Sequence, residues 1–75
     1  MHNVLIVDDH PFFLHGFSQY VEESGEYSIT TALSVEEAIE KIDVERPDIA
    51  MLDVTMHNGG GLKVLRHLRQ HYPMV

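Results

Sequence analysis

Three short apolar runs set the rhythm of the chain. Val4-Leu5-Ile6-Val7 and Ile49-Ala50-Met51-Leu52 are continuous, without the polar alternation of a half-exposed strand. Such runs predict strands buried on both faces of a parallel sheet. Tyr27 to Ala32 is β-branched or aromatic at most positions and predicts a strand between them. After the first run, Pro11 suits the first turn of a helix, and Phe13, Phe17, Tyr20 and Val21 recur at three- and four-residue steps until Ser24-Gly25 stops the pattern. Most of the aromatic set Phe12, Phe13, Phe17 and Tyr20 is expected in the core.

A second helix starts on a capping box, Ser34 with Glu37, and carries Val35, Ala38, Ile39 and Ile42 on one face. Arg46-Pro47-Asp48 breaks that pattern before the Ile49 run. After a loop from Thr55 to Gly60, Leu62, Leu65, Leu68 and Tyr72 mark a third helix, closed by Pro73. The order is therefore strand then helix, three times over. Right-handed crossovers of this length make the sheet parallel, and ligands of such sheets sit outside the carboxyl ends of the strands. Asp8 and Asp9 follow the first strand directly, and Asp53 follows the third.

If those two strands are neighbours, three carboxylates meet within a few ångströms, and like charges so close need a counter-charge. Mg²⁺ answers that need, because it takes oxygen ligands, keeps several waters and commonly uses one or two carboxylates beside phosphate oxygens. A carboxylate next to such an ion can attack a phosphoryl group and carry it as an acyl phosphate, which is the expectation for Asp53. The loop beyond it offers a backbone carbonyl as a further ligand, with Thr55 the candidate. The simpler alternative for Asp8 and Asp9 is turn and helix-cap duty. His10 sits beside the pair, either at the same site or capping the first helix.

Composition narrows the picture. A chain of 75 residues is one domain at most, and one of this size buries only about 60% of the surface its unfolded form exposes. No cysteine is present, so neither a disulfide framework nor a Cys-based zinc site is available. A reducing cytoplasm fits that usage. The start lacks the basic residues of a signal peptide, and no apolar run is long enough to span a membrane. Five Lys or Arg against twelve Asp or Glu give a net charge of -7, which repels the phosphate backbone and argues against direct nucleic-acid binding by this segment. Six histidines are present, and His67 and His71 stand one helical turn apart, a spacing able to bind Zn²⁺. Without a third ligand in view, a solvated helix face is the plainer reading. Gly59-Gly60-Gly61 is not followed by the Lys-Ser/Thr of a phosphate-binding loop, so it reads as the start of a helix and not as a phosphate cradle.

Val4-Leu5-Ile6-Val7-Asp8-Asp9-His10-Pro11, then Arg46-Pro47-Asp48 before Met51-Leu52-Asp53, then Met56 and Gly61, resemble the receiver domain of bacterial two-component response regulators. The Asp-Asp-His-Pro start followed by Phe12 and Gly16 is similar to the NarL/FixJ subfamily. The resemblance covers the whole chain. It implies a flavodoxin-like (CheY-like) α/β fold with strand order 2-1-3, truncated here to three βα units, in which a histidine kinase donates phosphate to Asp53. It also implies that Asp8 and Asp9 bind Mg²⁺, that the Thr55 backbone carbonyl joins them, and that helix one helps to dock the kinase. In that subfamily the receiver controls a helix-turn-helix DNA-binding domain.

The resembling family has five βα units, so the fourth and fifth are expected to be missing, with the Ser or Thr and the Lys they carry, as is the DNA-binding domain. The loop also departs from Met-Pro-Gly, reading Met56-His57-Asn58, and so exchanges proline rigidity for the freedom of the glycines that follow. An uncovered third strand is an open edge, which predicts self-association, either by pairing of third strands or by exchange of elements between copies. Two further functions compete. One is a truncated binding module that sequesters a kinase or another receiver without accepting phosphate. The other, a Mg²⁺-dependent phosphatase with Asp53 as nucleophile, lacks the second Asp expected two residues on, where Thr55 stands. No enzymatic activity is expected beyond self-catalysed phosphotransfer and dephosphorylation.

Overall fold

A computed structural model describes residues 2–75. The elements β1 (His2–Val7), α1 (Pro11–Glu22), β2 (Tyr27–Ala32), α2 (Val35–Glu45), β3 (Ile49–Leu52) and α3 (Gly60–His71) follow in order, with a 3-10 turn at His57–Gly59 leading into α3. The sheet is parallel and ordered β2-β1-β3, so the α/β class and the expected strand order both hold. β1 starts earlier than its apolar run because His2 and Asn3 also pair with Tyr27 and Ser28.

Alternation along β1 divides the core into two layers. Val4 and Ile6 pack with Leu14 of α1, joined by Phe17, Tyr27 and Ile29. Leu5 and Val7 point to the other face, where Ala32, Ala38, Ile42, Met56, Val64 and Leu68 close over them. All four apolar residues of β1 are buried because helices cover both faces, which is why the run shows no polar alternation. The layer under α2 and α3 is the larger and holds the largest fully buried side chains, Leu5, Ile42, Val7 and Val64.

Two expectations about helix faces need correction. In α1 the buried residues are Leu14 and Ser18, whereas Phe12 is 95% exposed, Tyr20 76% and Phe13 49%. Only Phe17 of the aromatic set is half-buried. The contact stripe is centred on Leu14, and Phe13 and Phe17 stack on each other along its flank with ring centres 5.4 Å apart. In α3, Leu62 and Leu65 are exposed, and contact is made by Gly60, Gly61, Val64 and Leu68. Small residues at 60 and 61 let the helix start approach the sheet closely, which rotates the leucines at 62 and 65 away.

The start of α2 is formed as its capping box predicts. The Glu37 amide donates to Ser34 Oγ at 3.2 Å, and Glu37 Oε1 in turn accepts from the Leu33 amide at 3.0 Å. Ser34→Ala is expected to cost about 1 kcal/mol, read as a lower urea midpoint with an unchanged slope. At its other end α2 stops on Arg46, whose left-handed backbone (φ 49°) turns the chain toward β3. Asp48 then anchors β3 to β1 from both sides of the peptide. Its amide donates to the Asn3 carbonyl at 2.9 Å, and its carboxylate accepts from the Asn3 amide at 2.8 Å.

Candidate functional site

Register carries the carboxylates to one place. The parallel ladder runs one residue past the strands, with the Asp8 amide donating to the Ala32 carbonyl at 3.0 Å and the Asp53 amide donating to the Val7 carbonyl at 3.0 Å. Asp8 and Asp53 are thereby fixed at the same level on adjacent strands. Potential ligand atoms of Asp8, Asp9, His10 and Asp53 all lie within 4.8 Å of one another. The three acidic residues singled out from the sequence are therefore brought together, and His10 joins them.

His10 occupies the N-cap position of α1, yet its side chain makes no capping bond. Its Nδ1 lies 2.5 Å from Asp8 Oδ1, 3.2 Å from Asp9 Oδ1 and 3.8 Å from Asp53 Oδ2. The hydrogen bond to Asp8 and the negative charges of Asp8, Asp9 and Asp53 raise its pKa above the ordinary histidine value. The His10 imidazole thus lies against all three carboxylates, which favour its protonated form. Asp8 also does the turn duty expected of an Asp after a strand, since its Oδ1 accepts from the His10 amide at 2.9 Å.

Asp53 is oriented from the other side by Thr55. Asp53 Oδ1 accepts from the Thr55 hydroxyl at 2.6 Å and from the Thr55 amide at 2.8 Å. These two donors, the hydroxyl first, hold the carboxyl below its ordinary pKa, with His10 adding to the effect. Two donors on one oxygen leave Oδ2 turned toward His10 and the acidic pair. What the structure records for Thr55 is this donation to Asp53.

The loop after Asp53 is held by close backbone packing. Asn58 (φ 59°) and Gly59 (φ 67°) both take the left-handed conformation, and the chain then turns sharply into α3. A Cβ added at Gly61 would stand 2.2 Å from the Asp53 carbonyl oxygen and 2.8 Å from its carbon. No side chain fits there, so the helix start rests directly on the peptide of Asp53. The His57 amide reaches back to Asp9 Oδ2 at 3.4 Å, tying the same loop to the acidic pair.

The donor set is one of hard oxygens with a single imidazole lying among them. The His10 imidazole stands where the carboxylate lone pairs converge, and its side chain is 67% exposed. Carboxylates in this number suit a small hard divalent ion that keeps part of its water shell. The sequence argument left the role of His10 open and gave no sign of how closely Gly61 approaches Asp53. Both depend on contacts between segments far apart in the chain. A run of Asp-Asp-His was the one signal available for His10.

Residues 4–75 match the family model described as the response regulator receiver domain. Among relatives, the alkaline phosphatase synthesis transcriptional regulatory protein PhoP of Bacillus subtilis is 37% identical over 67 residues, which cover 89% of this chain and 28% of that protein. A protein-glutamate methylesterase/protein-glutamine glutaminase of Geobacillus kaustophilus is 36% identical over 72 residues, covering 95% of this chain and 21% of that protein. In structure, a LuxR-family two-component response regulator from Aurantimonas sp. SI85-9A1 superposes with a TM-score of 0.86 at 30% identity, over 97% of this chain and 53% of that one. The chain thus spans about a quarter of the curated relatives' length and half of the solved regulator. The match over residues 4–75, the 2-1-3 parallel sheet and the superposition together make this chain a member of the response regulator receiver family.

Proposed function

We propose that residues 1–75 are the first three βα units of a phosphoacceptor receiver, in which Asp53 takes a phosphoryl group from a sensor histidine kinase beside a Mg²⁺ ion. The observation that carries this reading is the convergence of Asp8, Asp9, His10 and Asp53 at the carboxyl ends of adjacent strands. Asp8, Asp9 and Asp53 would hold the ion, with the Thr55 backbone carbonyl as a further ligand. When bound, Mg²⁺ supplies neutralisation of the charge that develops on the transferring group. The chain's own contribution is an anionic, oriented nucleophile. Thr55 keeps the Asp53 carboxyl ionised and fixes its rotation, while the Gly61 contact fixes its backbone. An Asp53 oxygen forms a bond to phosphorus as the bond to the leaving group breaks, and that group departs with the bonding electrons. The leaving group is an imidazole nitrogen from a kinase or acetate from acetyl phosphate, and the product is an acyl phosphate.

The test is incubation of the chain with Mg²⁺ and acetyl phosphate, followed by intact-mass and peptide analysis. A gain of one phosphoryl group at Asp53, lost on chelation of Mg²⁺, is the expected result. No gain under conditions that modify a complete receiver sinks the reading for these 75 residues. For the whole protein we propose control of transcription through a helix-turn-helix domain, in keeping with the regulators named above, and a cytoplasmic setting. No helix among the described residues is long and apolar enough to cross a membrane.

Self-association belongs to the same proposal. Among the described residues β3 is an edge strand, paired only with β1, and Ile49 and Met51 on the face opposite α3 are each 44% exposed. Beside them Ile6, Phe13 and Met51 border an open hollow of ≈ 330 Å³ that reaches Asp53. An unpaired strand edge next to bare apolar surface favours pairing with another chain. The 75-residue chain is expected to sediment above its monomer mass in a concentration-dependent way. A monodisperse monomer with cooperative unfolding would refute this.

A further inference from the structure

The C-terminal ends of α2 and α3 are joined by a polar cluster that the receiver chemistry does not use. His67 Nε2 lies 2.9 Å from Asp43 Oδ1, and the Tyr72 hydroxyl donates to the same oxygen at 2.9 Å. His71, one turn beyond His67 on α3, places its ring centre 4.7 Å from that of His67. Asp43 comes from α2 and is the third potential ligand that the spacing of the two histidines alone did not reveal.

We propose that His67, His71 and Asp43 form a Zn²⁺ site bridging α2 and α3, separate from the acidic cluster at the strand ends. Tetrahedral zinc with ligands at about 2.0–2.2 Å sets neighbouring ligand atoms roughly 3.3 Å apart and two imidazole centres roughly 5 Å apart. The observed 2.9 Å and 4.7 Å lie close to both. Zinc replaces the proton now shared between His67 and Asp43, so that His67 Nε2 and Asp43 Oδ1 move slightly apart to admit the ion. As the side chains stand, the ligand atoms of His67 and Asp43 meet but no His71 nitrogen converges with them, so coordination requires the exposed His71 side chain to rotate. Water completes the coordination.

Three further features favour a cation here. The Tyr72 hydroxyl orients the Asp43 carboxylate from outside the ligand set, the part that supporting donors play around zinc. Hydrogen bonds from His67 and then Tyr72 hold the Asp43 carboxyl below its ordinary pKa, so it is anionic throughout the neutral range. His71 is the last residue of α3, where the helix dipole presents its negative end. The Arg46 guanidinium is engaged over the face of the Tyr72 ring, 5.7 Å from its centre.

The experiment is titration of the chain with Zn²⁺ in excess Mg²⁺, which occupies the acidic cluster, read by calorimetry and by thermal unfolding. One Zn²⁺ per chain and a rise in Tm with Zn²⁺ concentration are expected. His71→Gln and Asp43→Asn, both at exposed positions, should each weaken Zn²⁺ at least about tenfold and cancel the rise in Tm. His10→Gln should leave both unchanged. Zinc affinity that survives His71→Gln and Asp43→Asn, or that is lost instead in His10→Gln, overturns the proposal. So does an absence of zinc binding once Mg²⁺ is present.

Discussion

Asp53→Asn is expected to abolish phosphoryl acceptance from acetyl phosphate while leaving the fold in place. The amide is nearly isosteric with the carboxylate, and its carbonyl oxygen still accepts from the Thr55 hydroxyl and amide that now bond Asp53 Oδ1. What it loses is the negative charge that, in the proposed function, attacks phosphorus and helps hold the metal. Removing one of three crowded carboxylates also relieves repulsion, against which stands the loss of its attraction for His10. These two contributions oppose each other, so the denaturant midpoint should move little. Intact-mass analysis reads the first effect and urea unfolding the second. A phosphoryl gain undiminished in the variant would place the acceptor on another residue. Kinase binding that persists in Asp53→Ala, in a chain that never gains phosphate, would favour the sequestering module instead.

Gly61→Ala should produce the largest loss of stability of any single methyl addition in α3. Judged by helix propensity alone, the change is favourable by about 1 kcal/mol, because glycine is a poor helix former. The structure reverses the sign. A Cβ at position 61 meets the Asp53 carbonyl oxygen at 2.2 Å and the Val54 Cα at 3.0 Å, and these are backbone atoms that cannot rotate away. Either α3 lifts off the sheet, uncovering Val64 and Leu68, or the Asp53 peptide shifts and the carboxylate moves with it. Overpacking of this severity costs about 2–4 kcal/mol net, against a total of roughly 4–11 kcal/mol for a chain of this length. Gly16→Ala is the natural control, since nothing lies within 4 Å of a Cβ there, and it should stabilise the chain by about 0.5–1 kcal/mol. Denaturant midpoints for the two variants should therefore move in opposite directions. Equal midpoints would mean that α3 accommodates the methyl without loss.

Much of the fold was legible because local and global preferences agree. The bounds of β2, the Ser34–Glu37 cap and the two buried strands were readable from a few residues each, and their alternation with helices made the sheet parallel, while the 2-1-3 order came from the resemblance to the receiver family. The candidate site was readable for a related reason. Asp8 and Asp53 terminate strands that are neighbours, and the sheet brings strand ends together whatever the details of packing. Helix faces were harder. α1 carries apolar residues on two adjoining stripes, and periodicity cannot say whether Leu14 or Phe13 meets the sheet. In α3 the choice was made by glycines, whose role is to be absent rather than to be apolar, so the leucines at 62 and 65 were a misleading cue. The Asp43, His67 and Tyr72 contacts join residues far apart in sequence, and no local pattern announces them.

The sheet's connectivity has one more consequence. β1 lies between β2 and β3, and those two share no hydrogen bond with each other. Cutting the chain at the Gly25 turn would therefore leave one piece with a single strand and one helix, and a second with two strands that have nothing to pair against. Neither piece could keep a sheet, although the second holds two of the three helices and Asp53. β1 is the keystone of these 75 residues, and β3, for all its distance in sequence, is built only when the first residues of the chain are in place beside it.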